Sequence, residues 1–314
     1  MLALLFPGQG SQEVGMGRDA FEASAAARAA FEEADEALGM SISRLCFEGP
    51  EDELVRTEIQ QPAILTTGIA YLRALEERGP VEPAYVAGHS LGEYTALVAA
   101  GALPFEDAVR LVNARGRFMQ EAVPRGRGGM AAVLGLEAEE VGLACQEARA
   151  EIGHVVSPAN FNAPTQIVVA GETAAVEAAC VRARQRGAKR TVPLPVSAPF
   201  HCAMMEPAAE KLAQELALVR FSDARAPVVT NVEAEPNSQG ARVASLLRAQ
   251  VTAPVRFTEM VVRMRDLGVT RFLELGPGRV LSGLVARIAR GLTRANMSHM
   301  SDLDDAAAFL TAPE

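Results

Sequence analysis

The 314-residue sequence has no tryptophan, few cysteines, and no apolar run near the length of about 18 residues that suggests a membrane-spanning helix. Its four cysteines form no CxxC pair and no metal-ligand spacing with the four histidines, so we expect reduced thiols and no metal site. The opening "MLALLFPGQG" lacks the basic residues that begin a signal peptide, and its short apolar run predicts a strand. We therefore expect a cytoplasmic protein with no membrane segment.

Positive charge is also in the minority. Lysine and arginine number 30 against 39 acidic residues, which gives a net charge of −9. Nothing in this balance supports nucleic-acid binding, and the ordinary interpretation is solubility. The hydrophobic share of 49% and the charged share of 22% are typical of a soluble enzyme, and the length allows about two domains.

Short apolar runs alternate with amphipathic stretches along most of the chain, and this alternation predicts an α/β fold with a parallel sheet. The predicted strands are 2–6, 84–87, 228–230 and 272–275. The predicted helices are 59–78, 105–121, 203–218, 256–267 and 278–290.

The middle of the chain follows a different order, strand–helix–strand–strand–helix–strand, which is that of a ferredoxin-like unit. Its predicted strands are 130–134, 155–156, 166–170 and 190–194, and its predicted helices are 137–149 and 174–186. The Gly/Arg-rich turn "PRGRGGM" precedes it. We therefore expect a large domain of residues 1–126 and 196–314, interrupted by a small domain of residues 127–195.

The stretch "GHSLG" at residues 88–92 places Ser90 between a predicted strand and a helix, the context of a nucleophile elbow. The glycines relieve crowding, and the N–H of Leu91 at the helix start can bind an oxyanion. The alternative is a glycine-rich turn in which Ser90 only caps the helix.

A nucleophilic serine needs a base. Of the four histidines, His89 is turned away from Ser90 by the elbow, and His201, where a turn meets a helix, is the best candidate. Asp107 is the only aspartate between Ser90 and His201, so the carboxylate of an ordinary triad is missing or replaced by a backbone carbonyl or an amide.

Helix 105–121 carries one arginine on its apolar side. At about 100° per residue, Arg115 lies within about 60° of Val112 and Met119. A buried guanidinium needs an anion. The partner is either an internal glutamate or the carboxylate of a substrate held near the nucleophile.

Seven motifs in the same order resemble the malonyl-CoA:acyl-carrier-protein transacylases of bacterial fatty acid synthesis, and the chain is similar to the acyltransferase domains of polyketide synthases. They are "FPGQGSQ" (6–12), "IQQPAILT" (59–66), "GHSLGEYTAL" (88–97), "RGRFMQEA" (115–122), "NFNAPTQIVVAG" (160–171), "PFHCAMM" (199–205) and "ELGPGRVLSGL" (274–284). The resemblance implies an α/β-hydrolase-like large domain with a ferredoxin-like insertion.

The resemblance also implies roles for individual residues. Ser90 corresponds to the acylated nucleophile, His201 to its base, and Arg115 to the arginine that binds the malonyl carboxylate. Gln9 and Leu91 correspond to the two backbone N–H donors of the oxyanion hole, and Gln250 to the residue whose carbonyl orients the histidine. Gln61 and Met119 correspond to residues that line the acyl site, and Phe200 stands where a phenylalanine accompanies malonyl selectivity.

The implied reaction moves a malonyl group from malonyl-CoA to the phosphopantetheine thiol of an acyl carrier protein, without cofactor. Because carrier proteins of this kind are acidic, we expect docking on basic residues of the insertion or at its hinge. The candidates are Arg184, Arg186, Lys189 and Arg190, with Arg125 and Arg127. These residues could equally be solvated helix ends. Two other functions stay open, a serine hydrolase or thioesterase and a noncatalytic carrier-docking subunit.

Overall fold

A computed structural model describes residues 1–196 and 198–311. Within them, the strands are β1 (Leu2–Phe6), β2 (Tyr85–Gly88), β3 (Gly128–Leu134), β4 (Val156–Ala163), β5 (Gln166–Glu172), β6 (Arg190–Pro193), β7 (Val228–Val229), β8 (Pro236–Asn237), β9 (Arg271–Leu275) and β10 (Thr293–Met297). The helices are α1 (Arg18–Ala23), α2 (Ala25–Leu38), α3 (Ile42–Glu48), α4 (Glu51–Leu54), α5 (Thr57–Glu76), α6 (Gly92–Ala99), α7 (Phe105–Glu121), α8 (Ala138–Ile152), α9 (Thr173–Gln185), α10 (Glu206–Leu216), α11 (Gly240–Thr252), α12 (Phe257–Asp266), α13 (Val280–Ile288) and α14 (Leu303–Thr311).

The larger sheet has the strand order β10-β9-β1-β2-β7-β8 and is parallel except for β8. Every residue of β1 is buried, as expected for a strand covered on both faces. Phe6 pairs with Gly88 in the register of β1 and β2. The loop "PGQG" and the turn "HSLG" therefore leave the carboxyl edge of the sheet side by side, where α/β folds place their ligands.

The segment from β3 to β6, called the insertion below, forms a separate antiparallel sheet of order β4-β5-β3-β6. Helices α8 and α9 pack on each other and on this sheet around their own apolar core, which includes Val133, Val141 and Val169. The α/β class with a ferredoxin-like insertion is confirmed. The division into residues 1–126 with 196–314 and residues 127–195 remains our proposal, and the separate core supports it.

Strand β4 ties the insertion to the larger unit. The N–H of Phe161 donates to the carbonyl of Val255 at 2.8 Å, and the N–H of Val255 donates to the carbonyl of Ala159 at 2.9 Å. The hydroxyl of Thr258 also donates to the carbonyl of Phe161. These contacts set one end of the insertion against the segment between α11 and α12, beside the carboxyl edge of the larger sheet.

The predicted strands and helices lie where the sequence pattern placed them, with ends shifted by a few residues. Strand β4 is longer than predicted, because irregular pairing between Pro158 and Asn160 breaks the alternation that reveals a strand. Helices α1 to α4, α11 and α14 and strands β8 and β10 were not predicted. Within the described residues, no helix combines the length and the hydrophobicity that crossing a bilayer requires.

Candidate active site

Ser90 occupies a sharp turn between β2 and α6. Its φ of 52° lies in the left-handed region, which is unusual for a residue with a side chain. The flanking Gly88 and Gly92 are required because other backbone atoms lie where their side chains would be. A Cβ at Gly88 would lie 2.0 Å from the backbone of Gly92, and one at Gly92 would lie 2.0 Å from the carbonyl oxygen of Phe6. This strained strand–turn–helix geometry is that of a nucleophile elbow.

The imidazole of His201 faces the Ser90 hydroxyl. Its Nε2 lies 2.7 Å from Ser90 Oγ, and its Nδ1 lies 2.8 Å from the main-chain oxygen of Gln250. Because a carbonyl only accepts, Nδ1 carries the proton and Nε2 is left to receive one from the serine. Burial, reinforced by the charge of Arg115, lowers the pKa of His201 to about 3. The ring is therefore a neutral base at physiological pH.

Within residues 1–196 and 198–311, no carboxylate is hydrogen-bonded to His201. Asp107 lies half-buried in the first turn of α7, where its Oδ1 is 3.4 Å from Nη1 of Arg110. The Gln250 carbonyl holds the imidazole instead. The candidate catalytic unit is thus a serine–histidine pair completed by a backbone oxygen.

Arg115 is fully buried, and its guanidinium touches the nucleophile. Nη2 donates to Ser90 Oγ and to Gln250 Oε1, both at 3.0 Å, and Nη1 donates to Gln61 Oε1 at 2.7 Å. The guanidinium carbon also lies 5.5 Å from the ring centroid of Tyr94. Among the described residues, no carboxylate forms an ion pair with Arg115, so the first of the two expected partners, an internal salt bridge, is not seen.

Two buried donors beside this cation have no hydrogen-bond partner among the described residues, Nε of Arg115 and Nε2 of Gln61. An unsatisfied buried donor costs about 1–3 kcal/mol. Burial also lowers the pKa of Arg115, because a guanidinium away from water favours its neutral form. An anion entering beside Ser90 would relieve both penalties.

A cleft of about 970 Å³ opens over Ser90 between the larger unit and the insertion. Gln9, Ser90, Phe200 and His201 lie on its lining. Leu91, Gln61, Arg115, Met119 and Gln250 are buried behind that lining, on α5, α7, α11 and the start of α6. The site residues implied by the resemblance are therefore brought to one place, in two layers.

Gln9 lies in the loop after β1 and lines the same cleft as Ser90, whereas Leu91 directly follows Ser90 in the elbow. The Gln9 side chain is anchored by a hydrogen bond from its Nε2 to Gln60 Oε1 at 2.6 Å. Leu91 is fully buried and directly precedes the first residue of α6, so its N–H belongs to the amino end of that helix.

The predicted docking residues differ in their surroundings. Arg186 is held between Glu140 and Glu147 at 2.5 and 2.6 Å, which ties the end of α9 to α8. Arg184 bonds the hydroxyl of Thr191, whereas Lys189 and Arg190 are exposed. At the hinge, exposed Arg125 lines the cleft. Arg127 lies 3.9 Å from the carboxylate of Glu172.

Sequence reasoning missed Asn231 and Glu93, both buried beside the elbow. Asn231 accepts the Ser90 N–H at 2.6 Å and donates to the Gly88 carbonyl at 2.7 Å, so one side chain clamps both sides of the turn. Glu93 Oε2 accepts the Asn231 N–H at 3.0 Å and Gln250 Nε2 at 2.7 Å. The only signal in the sequence was a carboxylate in the first turn of a predominantly apolar helix.

His89 lies beside Ser90 but engages a different partner. Its Nε2 is 2.7 Å from Asn162 Oδ1, and burial lowers its pKa. The contact joins the elbow to β4 of the insertion. Among the described residues, no group of His, Cys, Asp and Glu side chains is arranged to hold a metal ion.

The fold and the elbow are typical of α/β enzymes that act on acyl groups. A family model described as the acyl transferase domain matches residues 3–303. The chain is 50% identical over 291 residues to the malonyl CoA-acyl carrier protein transacylase of Bacillus subtilis (strain 168), covering 93% of this chain and 91% of that protein. It is 49% identical over 299 residues to the transacylase of the same name from Escherichia coli O157:H7, covering 95% and 96%.

Solved structures agree with these sequence comparisons. A malonyl-transacylase determined in complex with its type II PKS acyl-carrier protein superposes with a TM-score of 0.94 at 45% identity, and the match covers 98% of both chains. The chain belongs to the acyl transferase family.

Proposed function

We propose that this chain transfers the malonyl group of malonyl-CoA to the phosphopantetheine thiol of an acyl carrier protein, through a malonyl-Ser90 intermediate. One observation carries the proposal: Arg115 Nη2 and His201 Nε2 both contact Ser90 Oγ, at 3.0 and 2.7 Å. The carboxylate of a malonyl group lies one methylene beyond its acyl carbon. A cation this close to the nucleophile matches that short reach.

In the acylation step, Ser90 Oγ attacks the thioester carbon while His201 Nε2 takes the hydroxyl proton. The imidazolium is stabilised by its bond to the Gln250 carbonyl. It then protonates the sulfur of CoA as the C–S bond breaks. The attacking oxygen loses its bond from Arg115 as the ester forms, and the guanidinium can then hold the malonyl carboxylate in a charge-assisted pair.

The negative oxygen of the tetrahedral intermediate is assigned to the backbone N–H groups of Gln9 and Leu91. Loss of one such donor typically costs about 2.7–4 kcal/mol of transition-state stabilisation. In the second half-reaction the carrier thiol gives its proton to His201, attacks the ester and regenerates Ser90. No metal or cofactor takes part, and we place the reaction in the cytoplasm.

The two other functions fit the geometry less well. A hydrolase must admit water to the ester. Here the fully buried Arg115 would hold the acyl group in place and so keep water away from the ester. A noncatalytic docking subunit would not need a neutral histidine in hydrogen-bond contact with a strained serine. The relative solved with its acyl-carrier protein adds support for a carrier as the acceptor.

The test is transfer from a panel of acyl-CoAs, with and without carrier protein, followed by mass spectrometry of the enzyme. We expect a malonyl adduct on Ser90 that the holo carrier discharges. Free malonate released at the same rate with or without carrier would show a hydrolase, and no adduct would show a noncatalytic protein.

A further inference from the structure

Glu93 is a buried carboxylate with no part in the mechanism above. It is 2% exposed in the first turn of α6, three residues after the nucleophile. Its hydrogen bonds lead, through one side chain, to the cation that is to bind the substrate.

That side chain is the carboxamide of Gln250. Its Nε2 donates to Glu93 Oε2 at 2.7 Å and to the Ser90 carbonyl at 3.0 Å, and its Oε1 accepts from Arg115 Nη2 at 3.0 Å. A guanidinium can only donate, and an ionised carboxylate can only accept. The amide between them therefore has one orientation, and it aligns the negative charge of Glu93 with the positive charge of Arg115.

The charges facing Glu93 come from several elements. Arg115 on α7 attracts its ionised form, whereas Glu233, after β7, repels it. His201 and His89 are neutral because burial lowers their pKa values, and Asn231 and Gln250 are uncharged. Arg115 is therefore the main attractive charge for this carboxylate.

We propose that Glu93 is the resident counter-charge of Arg115, and that it takes up a proton when the carboxylate of the acyl group binds the same guanidinium. Two carboxylates sharing one buried cation cannot both stay ionised cheaply. Glu93 is the positioning residue that gives way, because the malonyl carboxylate contacts Arg115 directly. Burial, only partly offset by the bonds from Gln250 and Asn231, already raises the pKa of Glu93 to about 7.

The inference rests on the proposed function, and its test measures protons rather than turnover. Acylation itself passes the Ser90 proton through His201 to the CoA sulfur, so it takes up none from solvent. At about pH 8, in weak buffer with a pH indicator, we expect the wild type to bind about one proton per malonyl-serine formed. Acetyl-CoA forms the same thiol without a second carboxylate, so it supplies the baseline and should show no uptake.

A pH profile gives a second readout. Above about pH 7, kcat/KM for malonyl-CoA should fall by about tenfold per pH unit in the wild type, and stay flat for acetyl-CoA. Glu93→Gln should abolish both the proton uptake and the malonyl-specific slope. Glu93→Asp, which keeps a carboxylate, should retain them.

Glu274→Gln is the matched control. Glu274 is also fully buried and accepts two backbone N–H groups, from Leu281 at 3.0 Å and Ser282 at 2.7 Å, at the start of α13. This variant should keep the wild-type uptake. Malonyl-serine formed by the wild type without proton uptake, or uptake unchanged in Glu93→Gln, would overturn the inference. Absence of malonyl-serine in the wild type would instead reject the proposed function.

Discussion

The two walls of the cleft are built in different ways. The wall formed by the larger unit carries Ser90 and His201, 6% and 3% exposed and bonded to a second buried layer that contains Arg115. The wall formed by the insertion and its hinge contributes Met130, Asn160 and two glycines, with the exposed Arg125 of the hinge beside them. We therefore expect the first wall to perform the chemistry and the second to shape the entrance, and docking of the carrier on the insertion stays a prediction.

The largest expected effect concerns the wall of the cleft that carries Ser90 and His201. His201→Ala removes the general base, so kcat should fall by about 10²–10⁴-fold, leaving the contributions of the oxyanion hole and substrate binding. His299→Ala removes an exposed histidine after β10 and is the control. This variant should keep the wild-type rates of both half-reactions. Stopped-flow acylation of Ser90 measures the step directly. A loss below tenfold would mean that another group takes the serine proton.

Arg115→Ala should change which acyl group is accepted. Because a hydrogen bond to a charged group is worth about 1.5–3 kcal/mol, we expect kcat/KM for malonyl-CoA to fall by about 10²-fold while the acetyl rate holds or rises. Arg117→Ala, on the exposed face of the same helix, should change neither rate. A parallel loss for both acyl groups would show that Arg115 is structural.

On the surface of the insertion the expected effects are smaller. Charge reversal at Lys189 and Arg190 should raise the KM for the carrier several-fold and leave serine malonylation from malonyl-CoA unchanged. Arg186→Glu should instead lower the melting temperature, because it breaks the bonds to Glu140 and Glu147. Arg294→Glu, near the amino end of β10 and away from the cleft, is the control. An unaltered carrier KM would mean that docking lies elsewhere.

The smallest effect is expected at Asp107. The side chain faces Arg110 on the first turn of α7, and the Gln250 carbonyl already occupies the position that a triad carboxylate would take. Asp107→Asn should therefore keep nearly full transfer activity under saturating malonyl-CoA. A thousandfold loss would restore the triad and remove the difference between this site and an ordinary serine hydrolase.

The features of the site that could be predicted from sequence are those that depend on neighbouring residues in the chain. The elbow around Ser90 follows from glycines at a strand–helix junction, and the inward direction of Arg115 follows from helical periodicity. Asn231 and Glu93 could not be found in this way, because their roles depend on partners more than a hundred residues apart. The resemblance assigned Gln250 only a main-chain contact. Its carboxamide makes three more, and these appear only when α6, α7 and α11 are brought together.

The left-handed backbone of Ser90 is matched at His201, which has a φ of 59°. Each such residue costs about 1–3 kcal/mol, and tertiary contacts such as the Asn231 clamp must hold it there. Glycine would occupy either position more comfortably and would destroy the catalytic pair. Thermal stability and turnover are therefore opposed at these two positions. A selection for higher melting temperature that ignores activity would remove the reactive residues themselves.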